Sequence, residues 1–128
     1  MVVDSSALIA ILREEPGHER LWRKALSVDR TVVGASVAFE TAMVLSGRWH
    51  RDARSVLHGL LRNIGTEIVP FTEEHYEEAV SAFLRYGKGR HPAALNFGDC
   101  MSYAFARVSG LPLLYTGDDF SKTDVQAA

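Results

Sequence analysis

The sequence predicts an α/β fold of three layers, α/β/α, with a central parallel sheet of four to five strands. Two observations carry this expectation. Short apolar, β-branched runs alternate with longer stretches of helical period, in the order strand, helices, strand, helices, strand, helices, strand. The 128 residues fit one domain, 1–128, and no repeat, low-complexity run or linker divides them.

Met1 to Val3 reads as a short buried strand. Ser5 or Ser6 is the expected N-cap of a helix through Ala7–Leu12, which Pro16-Gly17 stops. Leu21, Trp22, Ala25 and Leu26 give one apolar face of a second helix. Thr31-Val32-Val33-Gly34 is a β-branched strand, and Ser36 is the expected cap of a helix from Val37 to about Trp49. Asp52 opens another helix, whose stripe of Val56, Leu57, Leu60, Leu61 and Ile64 ends at Gly65. Glu67-Ile68-Val69-Pro70-Phe71 is a third strand, and its proline suggests an edge position. Thr72 caps a helix with Glu73 and Glu74 in its first turn, where acids suit the macrodipole. Tyr76, Ala79, Val80, Phe83 and Leu84 are its expected buried face, and Gly87 ends it. A basic loop, Lys88 to Ala93, precedes a helix from Phe97 or Gly98 to Val108 with Gly110 at its end. Pro112-Leu113-Leu114-Tyr115 is a fourth strand, followed by a turn at Thr116-Gly117-Asp118-Asp119 and a tail or edge strand around Val125.

Composition narrows the function classes. A hydrophobic share of 47% supplies a compact core and argues against disorder. The net charge of −2 gives no bulk attraction to nucleic acid and leaves that role to a local basic patch. Cys100 is the only cysteine, so internal disulfides and thiolate zinc sites are excluded, and a reducing cytoplasm is the expected setting. No apolar run approaches a membrane span, and the N-terminus lacks a signal-peptide layout.

Four acids fall at one edge of the expected sheet. Asp4 directly follows the first strand and Asp118 lies just past the fourth. Helices after strands begin near the strands' carboxyl ends, which brings Glu40 to the same edge, with Asp99 in the first turn of the helix before the fourth strand. An acid in a first turn is commonly a capping choice, and an Asp-Asp pair after glycine is commonly a turn. Asp4 interrupts an apolar stretch, however, and Glu40 is flanked by Ala38, Phe39, Ala42 and Met43, a costly setting for an unpaired charge. Clustered carboxylates repel unless a cation joins them. An all-oxygen set suits Mg²⁺ or Mn²⁺, and such a site activates water and stabilises charge on phosphate oxygens, with Thr116 placed to position a water or phosphate oxygen beside Asp118.

These residues carry a resemblance. Val2-Val3-Asp4-Ser5-Ser6-Ala7-Leu8 resembles the opening of a PIN domain, and Ser36-Val37-Ala38-Phe39-Glu40-Thr41 its second acidic segment. Gly89 to Cys100 resembles the third, and Leu113 to Phe120 the last. The third segment, and the Gly-Asp-Asp-Phe ending followed by Thr123-Asp124, are similar to VapC toxins of bacterial VapBC toxin–antitoxin systems. The resemblance implies a Mg²⁺- or Mn²⁺-dependent ribonuclease, inhibited by a cognate VapB-like antitoxin that reaches into the active site, and usually a homodimer. It implies Asp4 and Asp99 as principal metal ligands, with Glu40 and Asp118 completing the acidic cluster. Only Asp119 separates Asp118 from Phe120, where the family often has two residues, so either Asp118 or Asp119 points into the site.

Around this cluster, Lys88, Arg90 and His91 are candidates for holding RNA phosphates, or form a solvated loop. Ser6 and Asn96 are candidates for hydrogen-bonding the ligand carboxylates, Asn96 equally for an N-cap. Arg48, His50, Arg51 and Arg54 read as solvated surface and Trp49 as a partly buried aromatic. Leu21, Trp22 and the Val56–Ile64 stripe are core by default, or a dimer or antitoxin groove. Two rival readings stand beside the nuclease. A receiver-type phosphoacceptor domain needs an aspartate after the third strand and a lysine after the last, where Pro70-Phe71-Thr72 and Thr116-Gly117 stand. A non-catalytic PIN-like binding module is opposed by the presence of all four acids.

Overall fold

The computed structural model describes all 128 residues. Its strands β1 (Val2–Val3), β2 (Thr31–Gly34), β3 (Thr66–Val69) and β4 (Leu113–Leu114) form one all-parallel sheet in the order β3-β2-β1-β4. Six helices cover it: α1 (Ser5–Leu12), α2 (His18–Leu26), α3 (Ala35–Trp49), α4 (Arg54–Ile64), α5 (Glu73–Tyr86) and α6 (Phe97–Ser109). The three-layer α/β/α architecture is the expected one. β3 takes the edge, and the tail adds a single parallel bridge, Leu113 to Ala127, in place of a fifth strand.

The strand order positions the site. The chain lays β1, β2 and β3 outward in one direction, then returns through α5 and α6 to set β4 on the free side of β1. This reversal opens a crevice at the carboxyl ends of β1 and β4, the place where open α/β sheets gather ligands. The Asp4 amide donates to the Leu114 carbonyl at 2.9 Å and joins the two strand ends at that point.

β1 is short but fully buried, as a central parallel strand must be. A core of 27 residues surrounds it, with Tyr103 and Phe105 of α6 its largest members. Gly34 makes room for one of them. A Cβ there would overlap the Phe105 ring, so a bare backbone lets β2 turn into α3 directly beside α6.

Four expectations change. Asp4 caps α1 in place of Ser5 or Ser6, because its carboxylate is already within reach of the Ser6 amide. Gly34 takes the cap position of α3, which starts one residue before Ser36. Ser36 is thus inside the helix, and its buried hydroxyl has no partner. Leu26 ends α2 exposed, leaving Leu21 and Ala25 as that helix's buried face. The largest change is on α5. Tyr76, Val80, Phe83 and Leu84 are exposed, and the helix buries only Ala82 completely. Periodicity marks an apolar face but not what covers it, and here the large side chains overhang a groove. The Val56–Ile64 stripe, by contrast, is core through Leu57, Leu60 and Leu61.

Candidate functional site

Asp4 is the most buried acid of the chain, at 2% exposure. Its Oδ2 accepts the Ser6 amide at 2.9 Å, and its Oδ1 accepts the Ser102 hydroxyl at 2.5 Å. A carboxylate offers about four lone-pair positions, so two bonds fix the group and leave capacity toward the crevice. Ser102 belongs to the site through this bond and is not among the residues the sequence singles out. It lies inside α6 three residues beyond Asp99, beside Tyr103, and nothing in that position marks Asp4 as its partner.

Asp99 sits in the first turn of α6 inside a reciprocal cap. The Asn96 side chain accepts the Asp99 amide, and the Asp99 carboxylate accepts the Asn96 amide, each at 2.9 Å. Asn96 therefore holds Asp99 through its backbone N–H, and its side chain is the N-cap. Ser6 also acts through its backbone. Its amide binds Asp4, while its hydroxyl accepts the Thr116 amide at 3.1 Å and pins the loop after β4 to the start of α1.

Glu40 reaches the same edge from α3. Its carboxylate lies against Gly98, and a Cβ at that glycine would overlap Oε2. Gly98 is the second residue the sequence reading missed, one position before Asp99. The electrostatics tie the acids together. Burial pushes the Asp99 carboxyl up to about 6, and the charges of Asp4, Asp119 and Glu40 push the same way against the Asn96 hydrogen bond. Of the last turn, it is the Asp119 charge that acts on Asp99. Asp118 and Asp119 are both exposed, and the Asp118 carbonyl accepts the Ser121 hydroxyl.

None of these five acids has a basic partner in any ion pair of the chain. Nor do three acidic, histidine or cysteine side chains converge into a closed metal cage. The arrangement is an open, all-carboxylate edge rather than the tight four-acid cluster expected. It fits a hard divalent cation of the Mg²⁺ kind, which keeps several waters and takes only one or two protein carboxylates. Buried Asp4 and half-buried Asp99 could hold it.

Of the basic loop, Lys88 lines the same groove as Glu40 and Asn96, and none of its cations pairs with the acids. Arg90 lies over the Phe83 ring at 5.2 Å, and His91 packs against Tyr86 while accepting the Ala93 amide. Arg54 pairs with Asp52 and Arg51 lies over Trp49, as solvated surface does. Beside Glu40 and Asn96 opens an apolar groove of about 960 Å³ between α3, α5 and α6, walled by Phe39, Met43, Tyr76, Val80, Phe83 and Phe97. Phe39 and Phe97 are 70% and 82% exposed, each next to or near one of the acids. This groove, and not the α2 or α4 stripe, is the unpartnered apolar surface.

The PIN domain family model matches residues 1–126. Ribonuclease VapC36 of Mycobacterium tuberculosis is 44% identical over 127 residues, covering 98% of this chain and 91% of that one. Ribonuclease VapC of Mycolicibacterium smegmatis is 45% identical over 129 residues, covering 99% and 98%. Among solved structures, M. tuberculosis VapC20, a Sarcin-Ricin loop cleaving toxin, superposes with a TM-score of 0.78 at 21% identity, covering 99% and 97% of the two chains. A toxin–antitoxin complex from Klebsiella pneumoniae gives 0.73 at 16% identity, covering 99% and 95%.

Proposed function

The chain belongs to the PIN domain family and groups there with the VapC ribonucleases, and from that premise we propose a toxin endoribonuclease working at the acidic edge. The observation that carries the reading is Asp99: a half-buried carboxyl raised to about 6 among Asp4, Asp119 and Glu40, with no basic partner. A protein keeps so costly a cluster for a cation. Asp4 and Asp99 hold a divalent ion, Mg²⁺ with Mn²⁺ as a substitute. When bound, the ion supplies an activated water and offsets charge on phosphate oxygens during in-line displacement. Glu40 and Asp118, with Asp119 as the alternative on the same turn, orient water at the acidic edge and accept its proton. Ser6, Ser102 and Asn96 hold the two ligands in place, and Thr116 fixes the loop that closes the crevice.

Protein partners belong to the same reading. The apolar groove presents one contiguous face walled by large side chains, and a homodimer buries it. A VapB-like antitoxin reaches the acidic edge and blocks RNA. No helix is long and apolar enough to cross a membrane, and the free, buried Cys100 suits a reducing cytoplasm. Residues 1–128 act as one domain, supported by the one 27-residue core.

The test is cleavage of a mixed RNA pool by the purified chain with Mg²⁺ or Mn²⁺, then with EDTA, beside Asp99→Asn. Cutting that needs both metal and Asp99 is expected. Cutting that persists in EDTA, or in Asp99→Asn, refutes the assigned site.

A further inference from the structure

A second cleft, of about 470 Å³, opens on the far side of the β4 loop from the apolar groove. It is lined by Leu21, Leu113 and Leu114, by the segment Tyr115–Gly117, by Arg20 and Lys24 of α2, and by Ala127 and Ala128 at the end of the chain. Arg20 and Lys24 are four residues apart and so share one helix face. Both are exposed, and neither side chain makes an ion pair or hydrogen bond within the chain. Arg23, on the same helix and also exposed, adds a third unpaired charge. Arg13, Arg30, Arg54, Arg85 and Arg107 are paired with acids, while Arg48 and Arg62 are exposed and unpaired like the α2 cations. Two like charges one turn apart repel weakly, and an anion held between them offsets that repulsion.

A continuous set of contacts links the cleft to the acids. The Thr116 amide binds the Ser6 hydroxyl, and the Ser6 amide binds Asp4. The Tyr115–Gly117 segment therefore borders both the turn that holds Asp4 and the cleft lined by Arg20 and Lys24. Arg20, Lys24 and Tyr115 line one cleft, the Tyr115 ring packing on Phe120 at 5.1 Å with part of its surface open, and cations beside an aromatic are the combination that single-stranded nucleic acid uses.

We infer that Arg20 and Lys24 are positioning residues that hold backbone phosphates of single-stranded RNA flanking the scissile bond, with Tyr115 beside them. This rests on the nuclease reading above. The phosphodiester beyond the acids then enters along α2, the basic helix face that borders the β4 loop.

The test measures binding of a fluorescent single-stranded RNA oligonucleotide in EDTA across a salt series, together with initial cleavage rates in Mn²⁺. The proteins are the wild type, Arg20→Ala/Lys24→Ala, the conservative swap Arg20→Lys/Lys24→Arg, and Arg62→Ala as a control on an exposed cation of α4. The double alanine variant should bind roughly 10-fold more weakly, and its log–log salt slope should fall by about 1.4, two phosphates at about 0.7 each. KM should rise while kcat holds, and the conservative swap should restore the affinity and KM. An unchanged affinity and slope in the double variant overturns the inference, as does an equal loss in Arg62→Ala. A wild type that cuts no RNA fails the nuclease reading instead, and the two failures are told apart in the same plate.

Discussion

The Ser102 hydroxyl donates to Asp4 Oδ1, tying the middle of α6 to the end of β1 across 98 residues of sequence. Asp4 is nearly inaccessible, so this bond and the Ser6 amide are what set its carboxylate plane. Ser102→Ala removes one donor and leaves the fold's apolar contacts intact. It should weaken Mn²⁺ affinity and slow cleavage by about 10- to 100-fold, the usual loss when a group that orients a metal ligand is removed. Stability should fall by about 1 kcal/mol. Titration calorimetry with Mn²⁺ reads the effect directly, and an unaltered affinity would show that Ser102 is only a packing residue.

Asp99 makes a pH prediction with a definite sign. Its carboxyl is raised in the fold from 3.8 to about 6, chiefly by burial. Folding of the metal-free protein thus favours the protonated form. That contribution is complete below pH 3.8 and is lost as pH rises through about 6. Asp99→Asn keeps the reciprocal cap with Asn96 and carries no charge. At pH 7 in EDTA it should be more stable than the wild type by on the order of 1–2 kcal/mol, after allowing for solvent screening of a partly exposed group. The gap should close by about pH 4, near the ordinary value of the carboxyl. Thermal melts across that range measure it, and a gap independent of pH would rule out the carboxyl as its source. The same substitution should abolish cleavage, a case of a site held at a cost to stability.

Glu40 and Gly98 make a coupled pair. The methyl group added by Gly98→Ala would overlap Glu40 Oε2, and the flexible end of the glutamate would swing away. Gly98→Ala should leave stability within about 1 kcal/mol, since alanine is also the better helix residue. Cleavage should drop about 10-fold or more, the scale set by losing one positioned proton acceptor. Glu40→Gln should do the same, and combining the two should add little, because both remove one interaction. Fully additive losses in that cycle would separate the two residues.

The fold and much of the acidic edge are legible in the sequence because both rest on local signals. Strand endings put Asp4 and the last turn at one edge, and helix starts put Glu40 and Asp99 there. Ser102 and Gly98 are illegible for the opposite reason. Each matters through a partner far along the chain, Asp4 for one and Glu40 for the other, and no spacing rule marks such contacts. Ser36 has the residue type of a cap, but Gly34, with its extended backbone, takes the role two positions earlier. The unpartnered hydroxyl yields a small reversal: Ser36→Ala should be neutral or slightly stabilising, by up to about 1 kcal/mol, where loss of a cap would cost about that much. Chemical denaturation of the two proteins side by side measures the sign.

The α5 face is apolar, as its periodicity says, yet it is not core, and that difference carries the last prediction. Tyr76, Val80 and Phe83 overhang the groove opposite Phe39, Met43 and Phe97. A side chain already in solvent in the lone chain tolerates charge with little effect on folding, typically within about 0.5 kcal/mol. The same charge buried against a second copy of the groove has no partner there and opposes association. Val80→Glu should therefore keep the melting temperature while shifting the protein from dimer to monomer in sedimentation velocity. Ala79 on the neighbouring position is smaller and less exposed, so Ala79→Ser should change neither. A Val80→Glu protein that keeps the wild-type mass would free the groove from the dimer. The antitoxin would then be its remaining claimant, tested by whether Val80→Glu loses inhibition instead.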